Sequence, residues 1–216
     1  MYIVLTDITT CPRCGPEHGL ILLAERIENR RVLEGALGCP HCRERYPIVG
    51  GMADLRVPPA PALPGPDAAP EPGDDEAALR IAALMGVHAG PGFTLLLGRS
   101  ARLAPGVAAR IQGLEVVAAD ETLAGWSEAA AINRVAVGPR LPFHDHAVRA
   151  VASDGGVAAS IEECARVLVP GGRLVVEDAP PDAEARLAAV GLAVEARAAG
   201  TIVACRRRPV GSVRHG

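Results

Sequence analysis

Residues 162–178 read EECARVLVPGGRLVVED, a helix-compatible segment followed by a strand-like run. Between the two, Pro170 stops a helix, and Gly171 and Gly172 permit a tight reversal into a buried strand. Strand-like runs recur along the chain: FTLLLG, LEVVAAD, INRVAVG, AVRAVAS, GRLVVED and TIVACRR. Ala-rich helical segments such as APGVAARI and SIEECARVL lie between several of them. Alternating strands and helices predict an α/β fold with a parallel, doubly wound sheet.

The segment before the first of these strands, DDEAALRIAALMGV, predicts a helix. Asp74 and Asp75 stand where an N-cap is expected. Four apolar residues follow at approximately helical spacing and are expected to face the core: Leu79, Ile81, Leu84 and Met85.

The composition is that of a globular protein and excludes some functions. Hydrophobic residues make up 49% of the chain and charged residues 22%, and no apolar stretch approaches the roughly 20 residues that span a bilayer. All 22 basic residues are arginine, yet the net charge is −3, which disfavours bulk binding of DNA or other nucleic acid. The opening stretch MYIVLTDITT lacks the features of a secretory signal, so we expect an opening strand and a cytoplasmic protein.

Prolines crowd residues 58–72, PPAPALPGPDAAPEP, without a hydrophobic period. Such a chain tends to polyproline II and acts as a semi-rigid spacer, so the segment is predicted to be a linker between two units. A long surface loop within one domain is the alternative. The predicted division is a small β-rich unit at 1–57, a Pro-rich linker at 58–73, an α/β domain at 74–209 and a tail at 210–216.

Two cysteine pairs in the first unit have the spacing of a metal site. Cys11, Cys14, Cys39 and Cys42 form the pattern C-x2-C-x24-C-x2-C. Each pair of thiolates can grip one side of a tetrahedral ion, which predicts a four-cysteine zinc ribbon with a β-hairpin between the pairs. Zinc held by four protein ligands has no open position, so its expected role is structural.

Other interpretations of these residues remain open. The cysteines could form disulfides or stay unliganded, although a reducing cytoplasm favours metal ligands or buried thiols. His18 and His41 lie close enough in sequence to be substitute ligands, and solvated loop histidines are the alternative.

The sequence after the second cysteine pair, CPHCRERYPIVGGMADLRV, resembles a small zinc-ribbon family whose members activate tRNA, rRNA and protein methyltransferases as partner subunits. The resemblance covers roughly the first 57 residues and implies a protein partner. The residues at matching positions are Tyr46, Pro47, Ile48, Gly50, Asp54 and Leu55.

Most of residues 75–208 resemble a class I S-adenosylmethionine-dependent methyltransferase, which implies a Rossmann-like sheet. In that family a Leu-Pro-Phe segment leads into the fourth strand, and a helix ends in Arg-Val-Leu-x-Pro-Gly-Gly before the fifth. The matching residues are Leu141, Pro142, Phe143, Arg166, Val167, Leu168, Pro170, Gly171, Gly172, Arg173 and Leu174.

The cofactor positions of that family are matched only in part. Its first strand carries an acid two positions before a G-x-G-x-G-like loop, and Leu96 occupies the position of that acid. Gly98 matches the first glycine, whereas Ser100 and Arg102 replace the other two, so side chains are expected to crowd the cradle. Asp120 matches the acid that holds the adenosine ribose, although capping of a helix near residue 121 is the alternative.

Three further polar features carry predictions of their own. The run from His144 to His146 suggests a metal site or a general base, against a solvated turn. Cys164 and Cys205 are expected to be buried, unreactive thiols. The Arg-rich tail could contact RNA or an acidic partner, or be a disordered terminus.

These observations together favour a non-catalytic, methyltransferase-like protein with a structural zinc ribbon, a pseudoenzyme that acts as a binding, regulatory or assembly subunit. An active methyltransferase with a divergent loop, with S-adenosylmethionine at Gly98 and Asp120, is the alternative. An RNA-binding adaptor is a third hypothesis.

Overall fold

The computed structural model describes residues 1–65, 67, 69–155 and 159–207. The helices are α1 (Asp75–Met85), α2 (Ala104–Arg110), α3 (Ile161–Val167) and α4 (Ala183–Ala189), with 3-10 helices at Ile3–Asp7, Gly98–Leu103 and Glu121–Gly125. The strands are β1 (Thr10–Cys11), β2 (Gly15–Gly19), β3 (Ile21–Glu28), β4 (Arg31–Gly38), β5 (Arg45–Val49), β6 (Met52–Leu55), β7 (Phe93–Leu97), β8 (Glu115–Ala119), β9 (Ile132–Val137), β10 (Val148–Asp154), β11 (Leu168–Glu177), β12 (Leu192–Ala198) and β13 (Thr201–Arg206).

An 11-stranded sheet runs through the molecule in the order β12-β13-β11-β10-β7-β8-β9-β6-β5-β4-β3. Five neighbouring strands of this order, β11, β10, β7, β8 and β9, are parallel to one another. At the edge next to β11, β13 and β12 add antiparallel strands. The chain runs outward from β7 in one direction to β8 and β9 and later in the other to β10 and β11. This reversal of strand order beside β7 creates the crevice in which doubly wound proteins bind ligands. The predicted Rossmann-like α/β fold is confirmed.

The amino-terminal unit continues the same sheet. Strand β6 pairs in parallel with β9, with Ala53 opposite Val135 and Leu55 opposite Val137. This pairing favours the alternative in which the Pro-rich segment is a loop within one domain over the extended spacer. Two of its described carbonyl groups accept hydrogen bonds, from Arg56 at Pro61 and from Trp126 at Pro70.

Two apolar layers cover the two faces of the sheet, because successive strand residues point to opposite sides. Along β7, Leu96 packs with α1 and α2, whereas Leu95 and Leu97 belong to the layer that contains α3 and α4. That second layer also contains Tyr46 and Leu37 of the amino-terminal unit, residues 1–57, which we call the ribbon. The ribbon and the α/β part thus share one hydrophobic core.

Local predictions have mixed outcomes. The hairpin between the cysteine pairs is confirmed as β3 and β4, and α1 begins after Asp74, whose carboxylate accepts a hydrogen bond from the Ala77 amide. Leu79 was predicted to face the core, but its side chain is 56% exposed. Ala78 and Ala82 of the same helix are buried. The opening strand is wrong, because Ile3–Asp7 forms a 3-10 helix in which the Thr6 hydroxyl donates to a backbone carbonyl.

The Arg-Val-Leu-x-Pro-Gly-Gly motif spans the end of α3 and the start of β11, so Pro170 and the two glycines after it lie inside the strand and do not form the predicted reversal before it. The Arg166 guanidinium donates to the carbonyl oxygens of Leu141 and Phe143 at 2.7 and 2.8 Å, and it pairs with Glu163 at 2.8 Å. Arg166 therefore ties the end of α3 to the segment that leads into β10.

None of the described helices has both the length and the apolar character needed to cross a bilayer.

Candidate metal centre and cofactor cavity

The predicted cysteine ligands meet at one point of the ribbon. The Sγ atoms of Cys11, Cys14, Cys39 and Cys42 all lie within 4.8 Å of one another. Cys11 and Cys42 are 3.7 Å apart and Cys14 and Cys39 are 3.9 Å apart. A tetrahedral Zn²⁺ with Zn–S bonds of about 2.3 Å requires S–S distances of about 3.8 Å. The four thiols therefore fit a structural zinc ion, and the separations exclude disulfide bonds, whose sulfurs lie about 2.05 Å apart.

Hydrogen bonds around Cys11 favour the thiolate that a metal needs. Burial raises the pKa of this thiol, but hydrogen bonds from the Tyr46 hydroxyl and from the amides of Cys14 and Arg13 outweigh burial and lower the pKa to about 7. The Tyr46 hydroxyl lies 3.4 Å from the Cys11 Sγ. Tyr46 thus both fills the core and stabilises the thiolate form of Cys11.

The two histidines near the cysteines lie outside this cluster. His18 and His41 stack on each other with ring centroids 4.4 Å apart. Among the described residues, the cysteine cluster is the one group of three or more side chains with metal-binding geometry.

A cavity of about 620 Å³ opens at the carboxyl ends of the parallel strands. Its lining includes Leu97 and Gly98 after β7, Asp120 after β8, Val137 in β9 and Asp154 in β10. This position is the crevice where the strand order reverses. The two predicted cofactor residues, Gly98 and Asp120, therefore line one cavity of a size typical of small-molecule sites.

Asp120 caps the segment that follows it. Its Oδ1 accepts hydrogen bonds from the Thr122 amide at 2.8 Å and from the Thr122 hydroxyl at 2.6 Å. The capping interpretation of this residue is thus correct for Oδ1. The Oδ2 atom accepts no hydrogen bond from the described residues, so a capping role and a ligand contact are geometrically compatible.

The loop after β7 is bound to an internal carboxylate. Gly98 has a φ of +59°, which explains why glycine remains there. The next residue, Arg99, donates its backbone amide to Asp154 Oδ2 at 2.7 Å, and its Nε lies 3.3 Å from the same oxygen. The Arg99 guanidinium also pairs with Asp178 at 2.5 Å. An amide that could meet a ligand at the end of β7 is therefore already satisfied.

Arg99 and Arg102 differ in where their side chains lie. Arg99 lines the cavity beside Asp120, although its side chain is 65% exposed and held by the two aspartates. Arg102 is not part of this lining; it lines a second cavity across the Arg99–Asp154 pair. Arg102, which stands at the third glycine position, was expected to crowd the cradle, but it does not line the Asp120 cavity.

Sequence reasoning missed Asp154 and Asp178. Both stand at the carboxyl end of a strand, Asp154 as the last residue of β10 and Asp178 directly after β11. Because the ends of parallel strands meet at one edge of a sheet, an acid at such a position is a signal for the site. The pairing with Arg99 depends on long-range geometry and leaves no local signal.

The other candidate residues are structural where they are described. His146 Nδ1 lies 2.8 Å from the Leu168 carbonyl oxygen, and Asp145 pairs with Arg166. Burial raises the pKa of Cys164 to about 12, as expected for an unreactive thiol. Cys205 is half-buried. The tail at 210–216 lies outside the described residues.

Comparison with family models finds no match for this chain, and comparison with curated proteins finds none either. Solved structures do match. A chain of the complex between the Haloferax volcanii methyltransferase activator Trm112 and a candidate methyltransferase is 18% identical, with 61% of this chain and 88% of that chain covered and a TM-score of 0.48.

Two further structures are similar to the chain. A candidate methyltransferase of Bacillus halodurans is 18% identical, with 57% of this chain and 70% of that chain covered and a TM-score of 0.44. A candidate S-adenosylmethionine-dependent methyltransferase of Methanococcus maripaludis is 13% identical, with 64% and 86% covered and a TM-score of 0.46. At these scores the strand order of the chain itself carries the fold assignment, which is a mixed α/β fold with a Rossmann-like, doubly wound sheet.

Proposed function

We propose that this chain is a methyltransferase-like protein that does not transfer methyl groups and acts as a binding, regulatory or assembly subunit, with a structural zinc ion in its ribbon. The observation that carries the proposal is the bond between Arg99 and Asp154, with the loop amide donated to the carboxylate at 2.7 Å.

The position of this bond opposes the binding of S-adenosylmethionine. The methionine part of that cofactor is zwitterionic, and in the family it passes over the glycine loop beside an acid of the first strand. Here that acid is replaced by Leu96, which is fully buried, and the loop amide of Arg99 is occupied by Asp154. Hydrogen bonds to a charged group contribute about 1.5–3 kcal/mol each, so a ligand would have to replace them. The residues present do not fit this part of the cofactor.

The surface of the ribbon supports a protein partner over RNA. Strand β3 is the edge of the large sheet, and it exposes three large apolar side chains, Ile21 at 54%, Leu23 at 41% and Ile27 at 50%. An open strand edge with apolar side chains is a typical feature of protein contacts. The aromatic content of 2% leaves few residues on which RNA bases could stack.

Titration calorimetry of the zinc-loaded protein with S-adenosylmethionine and with S-adenosylhomocysteine tests the proposal. We expect no binding in the micromolar range for either compound. The matched variant is Asp120→Asn, which keeps the cap through its side-chain oxygen and removes the ribose-binding carboxylate. Micromolar binding by the wild-type chain that Asp120→Asn weakens would overturn the proposal.

An active methyltransferase with a divergent loop is the second candidate. The observation that favours it is the cavity of about 620 Å³ with Asp120 in its lining, where the hydrogen bonds from Thr122 use only Oδ1 of the carboxylate. This candidate requires Arg99 to release Asp154 when a cofactor binds. The same calorimetric titration separates the two functions.

A further inference from the structure

A second cavity, of about 440 Å³, lies across the Arg99–Asp154 pair from the Asp120 cavity. Its walls come from the start of α1, the loop after β7 and the ends of β10 and β11. Three arginines and three acids line it: Arg80, Arg99, Arg102, Asp154, Glu177 and Asp178. The Proposed function concerns the Asp120 cavity and does not use this second one.

Two of the three arginines are engaged with the acids. Arg80 pairs with Glu177 at 2.6 Å, and Arg99 pairs with Asp178 at 2.5 Å and with Asp154 at 3.3 Å. Glu177 also accepts a hydrogen bond from the Ser100 hydroxyl at 3.0 Å. All three carboxylates of the cavity thus have partners.

Arg102 has none. Its side chain makes no hydrogen bond or ion pair with any residue in the described part of the chain, and its Nε is buried without an acceptor. A buried donor that gives up water without a partner costs about 1–3 kcal/mol. The terminal nitrogens, Nη1 and Nη2, are not among the buried atoms and also have no partner in the described part of the chain, so in a cavity large enough for a small molecule they have the chemistry of an anion site.

We propose that this cavity binds the carboxylate group of a small molecule, with Arg102 as the residue that holds it. A planar carboxylate matches the planar fork of the guanidinium and can accept two parallel hydrogen bonds. One unpaired arginine matches one negative charge. A phosphate dianion would bring a second charge next to Asp178 and Glu177, which repel it, so the cavity favours a carboxylate.

The proposal makes a prediction about stability as well as binding. If Arg102 is kept for a ligand, the free protein bears the cost of its unsatisfied Nε. Arg102→Met keeps much of the side-chain volume and removes the orphaned donor, so we expect the thermal midpoint of the free protein to rise. A functional site that lowers stability is a common feature of proteins.

The test is an NMR titration of the full-length, zinc-loaded protein, read at the Nε–Hε resonance of Arg102. The probes are sodium acetate and sodium phosphate, each compared with sodium chloride at the same ionic strength. We expect acetate to shift the resonance saturably in the millimolar range, and phosphate to bind at least about tenfold more weakly. Absence of a saturable acetate shift, or equal or tighter binding of phosphate, would contradict the proposal.

Variants provide the second readout, by calorimetry with acetate. Arg102→Met is expected to lose binding and to melt at a higher temperature than the wild type, whereas Arg102→Lys, which keeps the charge and loses the fork, retains weaker binding. The matched control is Arg110→Met; Arg110 pairs with Asp75 on α1 and does not line the cavity. Acetate binding that Arg102→Met leaves unchanged would refute the assignment, and the wild-type titration decides the matter if a variant does not fold.

Discussion

Replacing Cys39 with serine is expected to unfold the amino-terminal ribbon and to weaken the whole sheet. The thiol is buried at 3% exposure and lies in the same apolar layer as Tyr46 and the sheet residue Val135. Structural zinc contributes on the order of 10 kcal/mol in small zinc domains, which is comparable with the total stability of a typical domain. Because β6 pairs with β9, loss of the metal also exposes the β9 edge.

Removal of zinc from the wild-type protein by a chelator, followed by hydrogen exchange, measures the same loss of the metal. The wild-type protein is expected to release one zinc ion per chain to a chelator, with faster amide exchange in β4, β5 and β9. The matched control is Cys205→Ser, a half-buried cysteine outside the cluster, which should retain the metal and melt near the wild-type temperature. A metal-free wild-type chain with unchanged exchange in β9 would show that the ribbon does not depend on zinc.

Glu128→Gln is expected to lower the free energy of unfolding by about 3 kcal/mol, because it breaks a partly buried ion network. The Glu128 carboxylate pairs with Arg31 of the ribbon and, at 2.5 Å, with Arg134 of β9. Arg134 is 3% exposed and also donates to the Gly50 carbonyl of the ribbon at 2.5 Å. Without the carboxylate, two guanidinium groups remain at the junction with no negative charge between them.

Urea unfolding of the zinc-loaded protein measures the loss. The matched control is Glu121→Gln, which removes a 53% exposed carboxylate that pairs with Arg56 of the ribbon. An exposed pair contributes about 0–1 kcal/mol, so this variant should unfold close to the wild type. Equal losses in the two variants would contradict the role assigned to the Glu128 network.

The same network predicts an acid-dependent loss of stability. Burial raises the pKa of Glu128, but hydrogen bonding to Arg134 and the surrounding positive charges outweigh burial and lower it. A carboxyl with a lowered folded-state pKa stabilises the fold above its unfolded pKa of about 4.3, and this stabilisation is lost as the pH falls through the folded value. Glu128→Gln should therefore show a smaller drop in stability between neutral and acidic pH than the wild type.

Local patterns predicted most of the elements and the cysteine cluster. The cysteine spacing identified all four thiols of the cluster, and the alternation of apolar runs identified the strands from β7 to β11 and β13. The end of α3 was predicted to within three residues, since helix termination depends on a few neighbouring residues, but Pro170, Gly171 and Gly172 lie inside β11 and not between the helix and the strand. These signals lie within a few positions of the structure that they specify.

Long-range relations could not be predicted in the same way. The pairing of β6 with β9 joins segments about eighty residues apart, and no local pattern distinguishes a Pro-rich spacer from a Pro-rich surface loop. Arg31 and Glu128 are 97 positions apart. The partners of Arg99 and the lack of partners at Arg102 likewise depend on which strand ends meet. The sequence therefore did not show that Arg99 pairs with Asp154 and that Arg102 lines a second cavity.

A crystal structure of the zinc-loaded protein grown with saturating S-adenosylhomocysteine shows whether the loop after β7 can accept the cofactor. We expect no density for an amino-acid moiety beside Gly98, with the Arg99 amide still bound to Asp154. Density for the whole compound over Gly98 and Asp120, with Arg99 displaced from Asp154, would contradict it.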